Sequence, residues 1–236
     1  MVGVDPPALA AGARRRARRV RTAGLQGADL VPDRVELSTE ARPVLTIGGR
    51  TFTLSARGLH QADNAVRVWA VSEELGLDLD AVAAALERFT LPGGRGELLQ
   101  AGRLTVLNDC YNANPQSFRA AIATARTLRQ GRRLVFVAGT MRELGAASTA
   151  LHDQVARELV ELDPDLLAVV GDFVPAMEPY RETLGDRLLA APGPLELGPL
   201  LRARLGGDEV VVLKASRGVA LERILPALTA SVNSPG

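Results

Sequence analysis

From about residue 98 onward, short apolar runs alternate with longer amphipathic stretches, and this alternation constrains the possible folds most strongly. We predict strands at RLTVL, RLVFVAG, DLLAVVG and EVVVLKA, with a weaker one at DRLLAA. Helices are predicted at residues 115–129, 147–162, 194–205 and 218–229. Because each crossover between parallel strands needs about a dozen residues, the pattern predicts an α/β domain with a doubly wound, mostly parallel sheet.

The first 90 residues have a different pattern. Short strands are predicted within residues 34–54, where GGR is expected to form a hairpin turn. Two helices are predicted next, at residues 61–75 and at DLDAVAAALERF, because apolar residues recur there at helical spacing. The segment TLPGGRGE then interrupts the chain. This break at residues 90–97 predicts a domain boundary, with domains at residues 1–91 and 92–236.

Composition excludes several classes of protein. The net charge is +1, which provides no overall field for nucleic acid or an anionic membrane, and the single cysteine excludes an internal disulfide. The longest apolar runs are far too short to span a membrane. The first residues also lack the order of basic and apolar segments that marks a secretory signal. We therefore expect a soluble, cytoplasmic protein without a membrane span.

Arginines are concentrated near the start of the chain, in the run RRRARRVR. Such a run could be a nucleic-acid arm, whose affinity for DNA would depend strongly on salt. No aromatic residues are interleaved with these arginines, so we interpret the run as a helix end or a solvated segment that leads into a strand. We expect no nucleic-acid partner.

Polar residues follow four of the predicted strands. NDCYNANP follows LTVL, GTMRELG follows LVFVA, GD follows LLAVV, and KASR follows VVVL. The carboxyl ends of parallel strands lie at one edge of a sheet, and ligands bind beyond that edge. We therefore expect Asp109, Thr140, Asp172 and Lys214 to lie at the same edge and to mark a candidate site.

These residues also have purely structural explanations. Asp109 could cap a helix or a turn, and Asn112 and Asn114 could be ordinary turn residues. Ser216-Arg217 could cap the start of a helix, although free backbone N–H groups with a guanidinium also suit an anion.

The cysteine and the two histidines are interpreted conservatively. Neither histidine is near Cys110 in sequence, so we interpret Cys110 as a small buried hydrophobe rather than a nucleophile. His60 and His152 are interpreted as residues that serve packing or hydrogen bonding.

Lys214 is the only lysine among 28 basic residues. A phosphate-binding P-loop requires a lysine after a glycine-rich segment of fixed spacing. VLKASRG lacks that spacing, so the sequence contains no P-loop.

Together, these motifs resemble those of the Mur ligase family. NDCYNANPQSFRAAI is similar to the family's Asp-Ser-Tyr-Asn-Ala-Asn-Pro-x-Ser segment, GTMRELGAASTALH to its Gly-Asp-Met-x-Glu-Leu-Gly…His segment, and LKASRGVALE to its Lys-Gly-Ser-Arg segment. Upstream, GLHQADNAV is similar to Gly-x-His-Asn-x-x-Asn-Ala and PGGRGE to the Pro-Gly-Arg element. The resemblance extends from about residue 20 to residue 230.

The resemblance implies an ADP-forming amide ligase of peptidoglycan synthesis, and hence a role in the cell wall, cell shape and cell division. Family members have a UDP-sugar domain, a central ATPase domain and a Rossmann-like C-terminal domain that binds the amino component. The motifs are most similar to those of the branch that joins D-Ala-D-Ala to a UDP-linked peptide. ATP phosphorylates the peptide carboxylate, Mg²⁺ and cations stabilise the charge, and the dipeptide amine attacks the acyl phosphate.

The resemblance also implies roles for individual residues. Asn64 would face adenine, Arg95 would contact a phosphate as a catalytic residue, and Asp109 would accept hydrogen bonds from the ribose hydroxyls. The implied substrate-binding residues are Asn112, Asn114, Lys214, Ser216 and Arg217. Among these, Arg217 would form a fork for a carboxylate, with Lys214 as a second cation nearby. No residue is assigned to a metal.

The chain also departs from the family pattern. Gln61 replaces Asn, Cys110 replaces Ser, Thr140 replaces Asp, Ala215 replaces Gly, and Gly93-Gly94-Arg95 lengthens the spacing from proline. The UDP-sugar domain, the P-loop, the magnesium-binding carboxylates and a second lysine for the family's carbamate are missing. We therefore expect a fragment or shortened gene product, with a partial central ATPase domain before the C-terminal domain and a missing N-terminal half as its partner.

Two other functions remain open from the sequence. Without a P-loop, the chain alone is not expected to be catalytically sufficient. It could then act as a non-catalytic module that binds a nucleotide or a dipeptide. A nucleic-acid binder that uses the arginine run is the third alternative.

Overall fold

The computed structural model describes residues 1–4 and 7–229. The chain divides into two compact units, Met1–Thr90 and Leu91–Gly236. Each unit has its own β-sheet structure and its own core.

The described residues of the first unit form short strands and three helices. Its elements are β1 (Val2–Gly3), α1 (Pro7–Arg16), β2 (Thr22–Ala23), β3 (Arg34–Leu37), β4 (Pro43–Ile47), β5 (Arg50–Thr53), α2 (Leu59–Glu74) and α3 (Leu79–Arg88). Strands β1 and β2 form a parallel pair, and β3, β4 and β5 form an antiparallel sheet. Helix α1 ends in three arginines, so the helix-end interpretation of the arginine run is confirmed.

The hairpin and the helices of this unit follow from local sequence. Gly48 and Gly49 have φ angles of 56° and 77°, which other residues adopt at a cost, and they connect β4 to β5 as predicted. Asp78 caps α3 by accepting a hydrogen bond from the N–H of Asp80. The buried face of α2 places Trp69 in a stack with Phe52, at a ring-centroid distance of 5.3 Å. This stack lies in the core of the unit.

The second unit is built around a six-stranded sheet. Its elements are β6 (Glu97–Ala101), β7 (Leu104–Asp109), α4 (Pro115–Arg129), β8 (Leu134–Ala138), α5 (Ser148–Glu161), β9 (Leu166–Val170), α6 (Phe173–Ala176), α7 (Arg181–Leu184), β10 (Leu188–Ala191), α8 (Pro194–Arg202), β11 (Val210–Lys214) and α9 (Leu225–Thr229). The strand order is β10-β9-β8-β11-β7-β6. All neighbouring pairs are parallel except β6–β7. The predicted α/β fold is confirmed.

The central strands are apolar on both sides because the sheet is covered on both faces. Every residue of β8, β9 and β11 is buried. Helix α4 begins with a capping box, in which Asn114 accepts from the N–H of Ser117, and Pro115 occupies the first turn. Its bounds are those predicted from the sequence.

Other elements differ from the predictions. The helix expected at residues 218–229 is broken into the 3-10 turns Arg217–Val219 and Leu221–Ile224, followed by the short α9. The break occurs because Ala220 adopts a left-handed conformation, with a φ of 55°, which interrupts helical hydrogen bonding. Strand β6 was not predicted. Its residues Glu97–Ala101 do not alternate clearly between apolar and polar.

Candidate functional site

The carboxyl ends of four parallel strands meet at one edge of the second unit. Strand β11 lies between β7 and β8, and β9 pairs with β8 on the far side. Asp109 and Lys214 end their strands opposite each other. Thr140 and Asp172 follow β8 and β9, and Thr140 Oγ1 accepts from the N–H of Asp172 at 2.9 Å. The prediction that these four residues share one edge is confirmed.

Asp109 and Lys214 form a close ion pair. Lys214 Nζ lies 2.7 Å from Asp109 Oδ2 and donates to the carbonyl oxygen of Asn112 at 2.6 Å. The lysine side chain is only 2% exposed, whereas that of Asp109 is 25% exposed. The lysine therefore faces the protein, and Asp109 is the member of the pair that also reaches the edge of the sheet.

Two guanidinium groups converge on Tyr111. Arg95 Cζ lies 3.7 Å and Arg217 Cζ lies 5.3 Å from the centroid of the tyrosine ring, within the range of cation–π contacts. Hydrogen bonds from Arg95 and then Arg217, with their positive charges, lower the pKa of the Tyr111 hydroxyl. A hydrogen bond from the N–H of Tyr111 to the carbonyl of Gly94, at 2.9 Å, joins the segment of Arg95 to this turn.

Sequence reasoning assigned no role to Tyr111, although it lies within the NDCYNANP turn. One feature of the sequence could have indicated such a role. Aromatic residues are rare in this chain, and Tyr111 follows one predicted strand while arginines lie next to others. The two arginines are more than 100 residues apart in sequence. Their convergence depends on the order of the strands.

The side chains of Asn112 and Asn114 accept hydrogen bonds from backbone N–H groups of the turn and of the start of α4. Asn112 Oδ1 accepts from the N–H of Ala113 at 2.9 Å. Asn114 Oδ1 accepts from the N–H of Ser117 at 2.8 Å. Both asparagines remain exposed to solvent. They shape the turn, and their side chains also lie at its surface.

Ser216 connects the loop after β8 to the turn after β11. Its N–H donates to the carbonyl of Thr140 at 3.1 Å, and its Oγ accepts from the N–H of Arg142 at 2.9 Å. A Cβ atom at Gly139 would lie 2.9 Å from that of Ala215, so the two segments approach each other closely only because Gly139 has no side chain. Ser216 is buried, which leaves Arg217 as the exposed residue of the pair.

His152 holds the loop after β8 through a hydrogen bond from Met141. Its Nε2 accepts from the N–H of Met141 at 2.9 Å, so the proton of the neutral ring lies on Nδ1, which donates to the carbonyl of Ser148 at 2.8 Å. Asp172 Oδ2 lies 3.9 Å from Nε2. The interpretation of His152 as a hydrogen-bonding residue is confirmed.

Cys110 lies in the core beneath the turn and is 3% exposed. Burial raises the pKa of its thiol far above the ordinary value. Because only a thiolate is a good nucleophile, the interpretation of Cys110 as a small buried hydrophobe is confirmed.

Asn64 belongs to the first unit. It lies exposed on α2, where its Nδ2 donates to Gln61 Oε1 at 3.3 Å. The same segment contains His60, whose ring contacts the Gln61 amide at 3.1 Å. Two candidate nucleotide residues, Arg95 and Asp109, belong to the second unit.

Clusters of metal ligands and membrane-spanning helices are both absent from the part of the chain that the structure describes. Residues 1–4 and 7–229 contain no group of three or more His, Cys, Asp or Glu side chains arranged to hold a metal. Over the same part of the chain, no helix is both long and apolar enough to cross a bilayer.

The side chains of Asp109, Arg95 and Arg217 lie beyond the strand ends of the second unit, where doubly wound sheets bind their ligands. A doubly wound sheet with cations and a carboxylate beyond its strand ends is typical of domains that bind nucleotides and other small anions. The family described as "Mur ligase, glutamate ligase domain" matches residues 94–224, more than half of the chain. The chain belongs to the Mur ligase family.

Individual relatives agree with this assignment. The UDP-N-acetylmuramoyl-tripeptide–D-alanyl-D-alanine ligase of Mycobacterium tuberculosis is 34% identical, and the match covers 98% of this chain and 50% of the relative. A crystal structure of MurF from Acinetobacter baumannii superposes with a TM-score of 0.82 at 26% identity, over 98% of this chain and 51% of that one.

A third comparison includes a nucleotide. MurF ligase from Thermotoga maritima, solved in complex with ADP, gives a TM-score of 0.75 at 25% identity and covers 98% of this chain and 53% of that one. The chain thus spans about half the length of the relatives that it matches.

Proposed function

We propose that this chain contributes the C-terminal portion of an ATP-dependent amide ligase that adds D-Ala-D-Ala to UDP-N-acetylmuramoyl-tripeptide. The observation that carries the proposal is the convergence of Arg95 and Arg217 on Tyr111, next to the Asp109–Lys214 pair. The same edge therefore offers cations for a phosphate or a carboxylate and a carboxylate for hydroxyl groups. The names of the relatives support the particular substrates.

Each candidate residue has a role in this proposal. Arg95, exposed over the face of Tyr111, would bind a phosphate of the nucleotide and serve as the catalytic cation. Asp109 would accept hydrogen bonds from the ribose, and Asn64 would face the adenine. Arg217 would hold the carboxylate of the dipeptide as a bidentate fork.

The other residues assigned to substrate binding would contribute in different ways. Asn112 and Asn114 would present their exposed amides from the turn, and Ser216 would hold Arg217 in place through its contacts with the loop after β8. Lys214 is buried against Asp109. We therefore assign it an indirect role in place of direct contact with the dipeptide.

In the proposed reaction, the γ-phosphoryl group of ATP is transferred to the peptide carboxylate, a poor electrophile, which gives an acyl phosphate and releases ADP. Attack by the dipeptide amine then forms the amide and releases inorganic phosphate. We propose that the first unit represents part of the central ATPase domain and that the reaction occurs in the cytoplasm, where ATP is available. Because its sequence has no P-loop, we expect the chain alone to bind ligand without turnover.

Calorimetry tests the binding half of the proposal. D-Ala-D-Ala is titrated into the wild type, Arg217→Ala and the control Arg103→Gln, which removes an exposed arginine from the turn before β7, at the opposite end of that strand. Loss of a charge-assisted contact costs about 1.5–3 kcal/mol, so Arg217→Ala should bind roughly tenfold to a hundredfold more weakly. Arg103→Gln should bind like the wild type.

A phosphate-release assay with ATP and UDP-tripeptide tests the catalytic half. Release that depends on the UDP-tripeptide would contradict the expectation that the chain is insufficient alone. Equal binding of the dipeptide by the wild type and Arg217→Ala would contradict the role of Arg217. Binding without turnover, even when the missing half of a Mur ligase is added, would favour the non-catalytic module.

A further inference from the structure

The only lysine of the chain is buried. All other basic residues are arginine, yet Lys214, the last residue of β11, is 2% exposed. Burial of an ammonium is unfavourable unless it is paired and hydrogen-bonded. A cation is therefore needed at residue 214 in spite of the cost of burying it. The residue that supplies this cation is lysine, which occurs nowhere else in the sequence.

Both partners of the ammonium belong to one short segment. Asp109 is the last residue of β7, and Asn112 lies in the turn that follows. The ammonium contacts the carboxylate of the first and the carbonyl oxygen of the second. Lys214 therefore ties the end of β7 to its turn and holds both against the neighbouring strand β11.

An arginine would not make the same contacts. The ammonium of lysine is compact and has three donors, whereas the guanidinium of arginine is planar and has five donors in a rigid fork. In this enclosed position, a guanidinium would leave N–H groups without acceptors or would displace the Asn112 carbonyl. The geometry thus explains why lysine occurs only here.

We propose that Lys214 is a positioning residue, which sets the Asp109 carboxylate and the Tyr111–Asn114 turn for ligand contact without touching the ligand itself. Asp109 is partly exposed beside the covered lysine, so one carboxylate faces both the ammonium and the open edge. The inference rests on the proposed function in one respect, namely that Asp109 contacts the nucleotide.

Two local measurements test this role in the full chain. The proteins are the wild type, Lys214→Met, Lys214→Arg, Asp109→Asn, the double variant Lys214→Met/Asp109→Asn and the control Arg103→Gln. NMR reports the hydrogen exchange of the Tyr111, Ala113 and Asn114 amides, relative to the amides of α4. The same spectra follow a titration with ADP at millimolar concentrations.

Both lysine variants should exchange the turn amides about tenfold faster than the wild type, since the contact with Asn112 is lost. Their ADP affinity should fall roughly tenfold to a hundredfold, as expected for loss of a charge-assisted contact. Because Lys214 acts through Asp109, the double variant should bind ADP no more weakly than Asp109→Asn. Arg103→Gln should match the wild type in both measurements.

Three results would overturn the proposal. The first is wild-type exchange and affinity in Lys214→Arg, and the second is a Lys214→Met variant that is less stable but unchanged in both local measurements. The third is additive loss of affinity in the double variant. If the wild type does not bind ADP, the proposed nucleotide contact fails, and the exchange of the turn amides alone decides for or against Lys214.

Discussion

The two units of the chain differ in how completely they cover their apolar side chains. In the part of the chain that the structure describes, nine of the eleven exposed large apolar residues belong to the first unit, although it is the smaller one. The second unit has a sheet covered on both faces, with fully buried strands. The second unit therefore encloses its core, whereas the first unit leaves large apolar side chains exposed to solvent, as surfaces that associate with other molecules do.

An exposed stripe on α2 and its C-cap residue, Leu75, illustrates the difference. Val68, Val71 and Leu75 follow one another at helical spacing and are 47%, 42% and 68% exposed. The opposite face of the same helix is buried against the small sheet. In the second unit, Leu195 and Leu200 of α8 are the two exposed large apolar residues among those described. These two residues do not form a stripe like that of Val68, Val71 and Leu75.

The largest expected effect is a separation of the unfolding transitions. The single tryptophan, Trp69, lies in the first unit, so its fluorescence reports on that unit, whereas far-UV circular dichroism reports on both. The smaller core should unfold at lower urea concentration, because stability increases with the apolar area buried. Coincident transitions by the two probes would show that the units unfold together and would contradict a difference in stability between them.

Glu209 is expected to stabilise the second unit alone. Glu209 is 1% exposed and accepts hydrogen bonds from the N–H groups of Gly206, Gly207 and Asp208. Burial raises its pKa, but the hydrogen bonds from the N–H groups of Gly206 and Gly207, together with the charge of Arg133, outweigh burial, so the net pKa is lowered from 4.5. The stabilisation is present above the unfolded pKa and is lost as the pH falls through the folded pKa.

Glu209→Gln should lower the free energy of unfolding of the second unit by about 1.5–3 kcal/mol at neutral pH, because hydrogen bonds to a charged group are lost. The difference from the wild type should shrink as the solution is acidified below the ordinary glutamate pKa. Urea unfolding at several pH values measures both effects. A shift of the Trp69 transition of the same size would contradict the assignment of this effect to one unit.

Much of the second unit was predictable because its elements depend on local sequence. The bounds of α4 follow from Asn114-Pro115 and a regular apolar face, and the shared edge of Asp109 and Lys214 follows from the direction of parallel strands. The burial of Lys214 was not predictable in the same way. It depends on the register between β7 and β11, which are 100 residues apart in sequence, and no local pattern encodes that register.

The convergence on Tyr111 was missed for the same reason. Arg95 and Arg217 are each recognisable as cations near a loop, but their meeting at one ring is a property of strand order. At Ala220, by contrast, the prediction failed because of a local backbone conformation rather than a long-range contact. The apolar periodicity of residues 218–229 is helical, and the helix breaks at Ala220, where the residue in the left-handed conformation is an alanine rather than a glycine.

A substitution in the exposed stripe should have the smallest effect on the free energy of unfolding. It should nevertheless have a clear effect on association. Leu75→Lys replaces a side chain that already faces solvent, so the free energy of unfolding should change by no more than about 0.5 kcal/mol. The lysine should nevertheless reduce association, since it introduces a charge into the apolar surface. Light scattering over a range of protein concentrations measures the change.

The matched control is Leu200→Lys, at an exposed position of the second unit. It adds the same charge to the chain, so an effect of net charge on solubility would appear equally in both variants. We expect the apparent mass to fall only in Leu75→Lys, because Leu200 lies outside the stripe. A wild-type protein that is monomeric at every concentration would contradict the association surface, and an equal fall in both variants would attribute the effect to charge alone.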